Sequence, residues 1–159
     1  MHPSRGLSWR SLTAIGGDGD PRPSLSNVPA RHEHHIRAAR PRPHSGVTAW
    51  LSGVASDQIF ISAVTLGELQ AGVENARQQD SGRAGSIEGW IDAVAASQNI
   101  LPMDGGAFRC WARLMHGKPA ELIADAMIAA TAVVRNLTVV TRNPRDFERL
   151  GVPTFSPFR

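Results

Sequence analysis

Three acidic side chains stand where an α/β sheet would place a site for chemistry. Glu68 follows a short apolar run at residues 59–61, and Asp146 follows another at residues 137–141. Asp125 interrupts a stretch that is otherwise apolar, where a carboxylate is costly to bury without a partner. Because sites in parallel sheets form beyond the carboxyl ends of the strands, we expect these acids to converge at one edge.

Carboxylates grouped in this way are typical ligands for a hard cation such as Mg2+ or Mn2+. A bound ion of this kind lowers the pKa of a water ligand and stabilises charge on a phosphoryl group. That chemistry is phosphodiester hydrolysis, so the spacing of the acids is compatible with a metal-dependent nuclease.

Each acid also has a purely structural explanation, and spacing alone does not decide between the two. Glu68 follows Thr65 by three residues, which is the spacing of a helix capping box. Asp125 can face solvent on the polar side of its helix, and Asp146 can cap the helix that contains Phe147.

The elements that must position these acids begin at Ser45, where hydrophobic periodicity first appears. Gly82 to Gly85 is expected to be a loop. Apolar runs predict strands, and residues at helical spacing predict helices between them. The predicted strands are 59–61, 100–103, 137–141 and 154–155, and the predicted helices are 45–54, 65–79, 87–94, 104–116, 120–135 and 146–150. This alternation predicts an α/β domain with a mainly parallel sheet.

The chain divides into two regions of different composition. Residues 1–44 are rich in Pro, Gly and Arg and have no hydrophobic period, so they are predicted to be a disordered or aberrant leader, or a tail on the domain. Residues 45–159 are predicted to form the domain. A basic arm that binds nucleic acid phosphates is the alternative for the first region, and composition favours a solvated leader.

The overall composition excludes several classes of protein. Apolar residues make up 42% of the 159 residues, which suits a globular chain. Cys110 is the single cysteine, so no internal disulfide can form. No apolar run is long enough to span a bilayer and no secretory signal is evident, so we expect no membrane association and a cytoplasmic protein.

Three segments resemble the acidic motifs of PIN domains, in the order that the family has them. Residues 61–72 (ISAVTLGELQAG) resemble the second motif, residues 123–132 (IADAMIAATA) the third, and residues 139–147 (VVTRNPRDF) the fourth. LPMD at residues 101–104 and the ending at residues 152–158 also match. The ordered set is specific, and the segment it covers is similar to PIN-domain endoribonuclease toxins of the VapC and FitB type.

The resemblance implies a three-layer fold, with a mainly parallel sheet and helices on both faces. It implies a Mg2+ or Mn2+ site, hydrolysis of RNA as the toxin of a type II toxin–antitoxin pair, a cognate antitoxin partner and a possible homodimer. Glu68 and Asp125 match the second and third acids of the family. At the fourth motif Asn143 stands where many members carry an acid, Asp146 lies three residues further on, and Thr141 can supply a hydroxyl. Which of Asn143 and Asp146 contributes more stays open.

The first acidic motif of the family, a strand that ends in Asp-Thr-Asn, does not occur in this chain. Codons for residues 27–40 (NVPARHEHHIRAAR), read one base further on, can encode MYLLDTNIISELR, which contains that motif and joins Pro41 without a gap. We therefore interpret the first motif as lost through a frameshift. The loss of a central strand and of one carboxylate predicts a destabilised and poorly active protein.

A cluster of histidines at His32, His34 and His35 is the most misleading pattern in the chain. Its spacing fits no established zinc signature, and translation in the wrong frame accounts for it.

The sequence is compatible with three different functions. The first is an active endoribonuclease toxin. The second is a catalytically impaired PIN-domain remnant that only binds an antitoxin partner. The third is a nucleic-acid-binding protein that uses its basic arm.

Overall fold

The structure, a computed structural model, describes residues 11–16 and 45–158. Within them the helices are α1 (Ser45–Ser52), α2 (Ala63–Arg77), α3 (Ser81–Ser97), α4 (Gly105–Leu114), α5 (Ile123–Val133) and α6 (Pro144–Arg149). The strands are β1 (Ser11–Gly16), β2 (Phe60–Ser62), β3 (Asn99–Leu101), β4 (Leu137–Thr141) and β5 (Thr154–Phe155). Short 3-10 turns, Ser56–Gln58 and Ala120–Leu122, precede β2 and α5. The predicted α/β alternation is confirmed.

The strands pair in two groups. β2 and β3 are parallel, and β4 and β5 are parallel, as the sequence pattern predicts. β1 pairs with the other side of β4 in the antiparallel direction and also lies against β2. β1 therefore fills the space between the two parallel pairs.

β1 is a strand that the sequence pattern did not predict, because it falls within the region expected to be a leader. Its register places Ser11 opposite Thr141 and Gly16 opposite Leu137, with an irregularity between Leu12 and Ile15. The physical reason lies in β4, whose backbone N–H and C=O groups on the side away from β5 need partners. The histidine cluster and residues 27–40 lie outside the described residues, and the domain boundary at Ser45 stays a prediction.

The core lies on both faces of β4. Val139 packs with Leu122 and Phe147, whereas the neighbouring Val140 packs with Trp50 of α1. Consecutive residues of a strand point to opposite faces, so α5 and α6 cover one face and α1 covers the other. This arrangement confirms helices on both faces of the sheet.

Helix α3 replaces the loop predicted at Gly82 to Gly85, and that prediction is wrong. The helix begins at Asp80, whose carboxylate accepts a hydrogen bond from the N–H of Arg83 at 2.9 Å. Ala84 in its first turn is fully buried against the core cluster of α2 and α3. The cap and this packing offset the helix cost of the glycines, which is about 1 kcal/mol each.

Candidate active site

Glu68 lies in the second turn of α2, with its side chain exposed. The helix is capped by Ser62, whose hydroxyl accepts a hydrogen bond from the N–H of Val64 at 3.2 Å. The predicted capping box from Thr65 to Glu68 is therefore wrong, because Thr65 already lies inside the first turn. The capping explanation for Glu68 is thereby removed.

The side of α2 that carries Glu68 faces α5 and the core cluster that α5 and α6 share. Val64, four residues before Glu68, packs against the core cluster that contains Leu122 and Phe147. Residues four apart share one face of a helix, so Glu68 lies at the rim of the same contact.

Asp125 lies in the first turn of α5, next to the fully buried Ala126. Its side chain is half-buried, so it is neither sealed in the core nor fully solvated. The first turn of a helix favours an acid, because the unpaired N–H groups there carry partial positive charge. The prediction that Asp125 faces solvent is thus confirmed only in part, because its side chain is half-buried.

Asn143 and Asp146 form a direct pair after β4. The amide Nδ2 of Asn143 donates a hydrogen bond to Oδ2 of Asp146 in a very close contact. The fully buried Thr141 fixes the turn that precedes them, since its hydroxyl accepts a hydrogen bond from the N–H of Asn143 at 3.0 Å. Asn143, and not Asp146, occupies the position before α6, so the predicted capping role of Asp146 is wrong.

Two residues that the sequence analysis missed join these elements. Nη1 of Arg149 on α6 lies 2.8 Å from Oε1 of Glu121, which is in the turn that leads into α5. The same nitrogen lies 3.7 Å from Oδ1 of Asp146. The spacing of three residues from Asp146 to Arg149 on one helix was a signal for the second contact. No local sequence pattern indicates the contact between Arg149 and Glu121, which are 28 residues apart.

Helix α5 contacts both α2 and α6, so the three elements that carry Glu68, Asp125 and Asp146 meet around it. Their carboxylates and the Asn143 amide are oxygen donors, the type that fits Mg2+ or Mn2+. Among residues 11–16 and 45–158, however, no three His, Cys, Asp or Glu side chains lie close enough together to hold a metal ion. The donor type therefore fits a hard cation, whereas the number of acidic side chains that lie close together in the described residues does not.

β1 adds no acidic residue beside the end of β4, where the candidate site lies. Ser11 is the residue opposite Thr141, and the sequence of β1, SLTAIG, contains no carboxylate. The strand that stands beside β4 therefore restores backbone pairing without supplying the first acidic motif.

Within the part of the chain that the structure describes, no helix has the length and the apolar character needed to cross a membrane.

Comparison with known proteins identifies the family. The family model for the PIN domain matches residues 35–153. Toxin FitB of Neisseria gonorrhoeae is 32% identical over 127 residues, which is 75% of this chain and 89% of that protein. VapC ribonuclease Y4jK of Sinorhizobium fredii is 31% identical over 122 residues, covering 73% and 86%.

A solved structure supports the same assignment. The crystal structure of FitAcB from Neisseria gonorrhoeae matches with a TM-score of 0.65 and 30% identity, over 76% of this chain and 90% of that one. The chain belongs to the PIN domain family, and its relatives are toxins and ribonucleases of the FitB and VapC type. The resemblance and the fold predicted from the sequence are both confirmed.

Proposed function

We propose that this chain descends from, and acts as, a metal-dependent endoribonuclease, the toxin of a toxin–antitoxin pair. The observation that carries the proposal is that α5, which carries Asp125, contacts both α2, which carries Glu68, and α6, which carries Asp146. Relatives named toxin and ribonuclease support the same reading.

A Mg2+ or Mn2+ ion at this edge would supply an activated water and neutralise charge on the phosphate that is cut. Asp125, Asp146 and Glu68 are the acids that would contact the ion. No three acids of the described residues lie close enough together to hold it, so the proposal requires a further acid, such as that of the family's first motif. Asn143 would orient Asp146 through its amide hydrogen bond, because that bond fixes which carboxylate oxygen remains available. Thr141 would keep Asn143 in place through the turn that follows β4.

RNA is the proposed substrate, and a cognate antitoxin protein is the proposed regulator. A homodimer, which the family resemblance implies, and a cytoplasmic location, which the composition indicates, are proposed as well.

A second candidate is a PIN-domain remnant that binds an antitoxin without cutting RNA. It is favoured by one observation, the absence of any carboxylate in β1, the strand that stands beside β4. A site with fewer acids binds a hard cation more weakly, because affinity follows the number and charge of its ligands.

The test is cleavage of a structured RNA by the purified chain in Mn2+, with and without EDTA. The proposal predicts metal-dependent cutting that falls by about 100-fold in Asp125→Asn, since one charged ligand contributes several kcal/mol to such a reaction. Asp92→Asn, an exposed aspartate on α3, is the matched control and is expected to cut normally. Cutting that survives EDTA, or that is unchanged in Asp125→Asn, contradicts the proposal. No cutting together with stable capture of a cognate antitoxin supports the second candidate.

A further inference from the structure

Arg142 stands at the rim of the candidate site, between two residues that help to build it. Thr141 before it is fully buried at the end of β4, and Asn143 after it donates a hydrogen bond to Asp146. Successive residues of an extended chain point to opposite sides, and the Arg142 side chain is exposed where that of Thr141 is buried. A cation is thus attached directly beside the Asn143–Asp146 pair and is open to solvent.

The contact that holds the Arg142 guanidinium is with an aromatic ring. Its central carbon lies over the ring of Phe158, 5.7 Å from the centroid, which is within the range of a cation–π interaction. Within residues 11–16 and 45–158, no carboxylate forms an ion pair with Arg142. By contrast, Arg77, Arg135 and Arg149 each have a carboxylate at 2.8–2.9 Å. The charge of Arg142 therefore has no acidic neighbour that neutralises it.

This arrangement suits a contact with a phosphate group. An aromatic ring attracts the guanidinium without engaging its fork of N–H donors in the way that a carboxylate does. The fork therefore remains available, and its geometry matches two oxygens of a phosphate. The ring of Phe158 also restricts the side chain, which lowers the entropy lost when a ligand binds.

We propose that Arg142, positioned by Phe158, binds a backbone phosphate of single-stranded RNA beside the candidate site. The acids of that site repel a polyanion, and an adjacent cation offsets the repulsion. The identity of the polymer rests on the proposed function, whereas the exposed guanidinium without an acidic partner does not. No metal ion takes part in this contact.

The test measures RNA binding in EDTA. A fluorescein-labelled oligouridylate is titrated with the chain, and its anisotropy gives the Kd from about 0.05 to about 0.2 M salt. One phosphate contact with a single strand contributes about 0.7 to the slope of log Kd against log salt, which is about five-fold in affinity at about 0.1 M. Arg142→Gln is therefore expected to raise the Kd by about five-fold and to lower the slope by about 0.7. An unchanged Kd and slope overturn the proposal.

Arg83→Gln is the matched control, because it removes the same charge from an exposed arginine of α3, which packs on α2. It is expected to leave the Kd and the slope unchanged. An equal loss in Arg83→Gln and Arg142→Gln indicates a general effect of net charge and overturns the proposal. A lower Tm of Arg142→Gln with an unchanged slope indicates that Arg142 only ties the chain end to β4, and this outcome overturns it as well.

Two further variants separate the charge of Arg142 from its geometry. Arg142→Lys keeps the charge and lacks the planar fork, so it is expected to keep the slope and to bind with a higher Kd. Phe158→Leu is expected to raise the Kd at an unchanged slope, because Arg142 keeps its charge and is less well ordered. A Phe158→Leu chain that binds RNA as tightly as the unchanged chain overturns the positioning role of the ring.

Polyglutamate in place of the RNA tests an acidic protein segment as the partner of Arg142. An Arg142→Gln chain that loses affinity for polyglutamate and keeps its affinity for RNA overturns the proposal. RNA that is bound through Arg142 and left uncut in Mn2+ supports the phosphate contact and contradicts the proposed nuclease. RNA that is cut in Mn2+, with equal affinity for the unchanged chain and Arg142→Gln, supports the nuclease and contradicts the phosphate contact.

Discussion

Asp104 and Arg135 are joined by an ion pair, with Arg135 Nη2 2.9 Å from Asp104 Oδ2. The other oxygen of Asp104 accepts a hydrogen bond from the N–H of Ala107 at 2.9 Å and caps α4. Arg135 follows α5 and also donates to the backbone carbonyl of Pro102. One carboxylate thus ties the start of α4 to the end of α5, the helix that carries Asp125.

This contact predicts a dependence of stability on pH. The N–H of Ala107 lowers the pKa of Asp104 below the ordinary value of 3.8, with Arg135 adding to the effect. Because the folded-state pKa is depressed, the stabilisation is fully present above pH 3.8 and is lost as the pH falls through the lower folded-state pKa. Asp104→Asn is therefore expected to lower the Tm at neutral pH and to converge with the unchanged protein in acid.

Thermal unfolding measured from about pH 7 down to about pH 2 checks this prediction. Asp92→Asn, on the exposed face of α3, is the control and is expected to follow the unchanged protein throughout. A deficit in Asp104→Asn that is the same at both ends of the range would show that the ionised carboxylate is not what stabilises this junction.

Phe147 anchors α6 beneath the candidate site. It is 1% exposed and packs in the cluster that contains Leu122 and Val139. Phe147→Ala is expected to lower the free energy of unfolding by about 3–5 kcal/mol, because it leaves a cavity that the strand and helices cannot fill. Urea denaturation measures the loss.

Phe108 provides the control for that substitution, because its side chain is 46% exposed at the surface of α4. Phe108→Ala is expected to cost much less than Phe147→Ala. Equal losses in the two variants would contradict the packing that places α6 against β4.

Strong local signals account for the parts of the fold that the sequence predicts well. The apolar run at residues 137–141 was predicted as a strand and forms β4 with the same bounds. The helix predicted at residues 120–135 is present as a 3-10 turn followed by α5. The helix predicted at residues 104–116 is present as α4, and Asp104 caps it. In each case the signal lies within the element itself.

The parts that the sequence did not predict depend on contacts between distant segments. β1 is a strand because β4 offers an unpaired edge, and its own six residues carry little pattern. The contact of Glu121 with Arg149 joins residues that no local spacing relates. The candidate acids could be named from the family motifs, whereas the contact between Arg149 and Glu121 could not.

The frameshift interpretation predicts a change in the central strand. In a frame-restored chain, MYLLDTNIISELR would replace residues 27–40 and residues 1–26 would be absent. Without β1, the edge of β4 that faces away from β5 is free to pair with the new strand. The pairing is expected to be parallel, because the family resemblance implies a mainly parallel sheet. Amide hydrogen exchange at Thr138 and Val140, which lie opposite Ile15 and Leu12 of β1 in the present chain, measures the pairing.

Protection at Thr138 and Val140 is expected to increase in the frame-restored chain, together with the Tm. Weaker protection and a lower Tm would mean that β1 is the better partner for β4. The nucleotide sequence provides an independent check, since codons that cannot encode MYLLDTNIISELR in the neighbouring frame exclude the interpretation.

RNA cleavage in Mn2+ is the direct test of the proposal that this PIN-domain chain is a nuclease whose site lacks its first acid. The measurement compares the chain as written with the frame-restored chain, each with and without Asp125→Asn. We expect the frame-restored chain to cut at least about 100-fold faster, and Asp125→Asn to abolish the gain. Equal cutting by the two chains, or cutting by the restored chain that does not depend on Asp125, would contradict it.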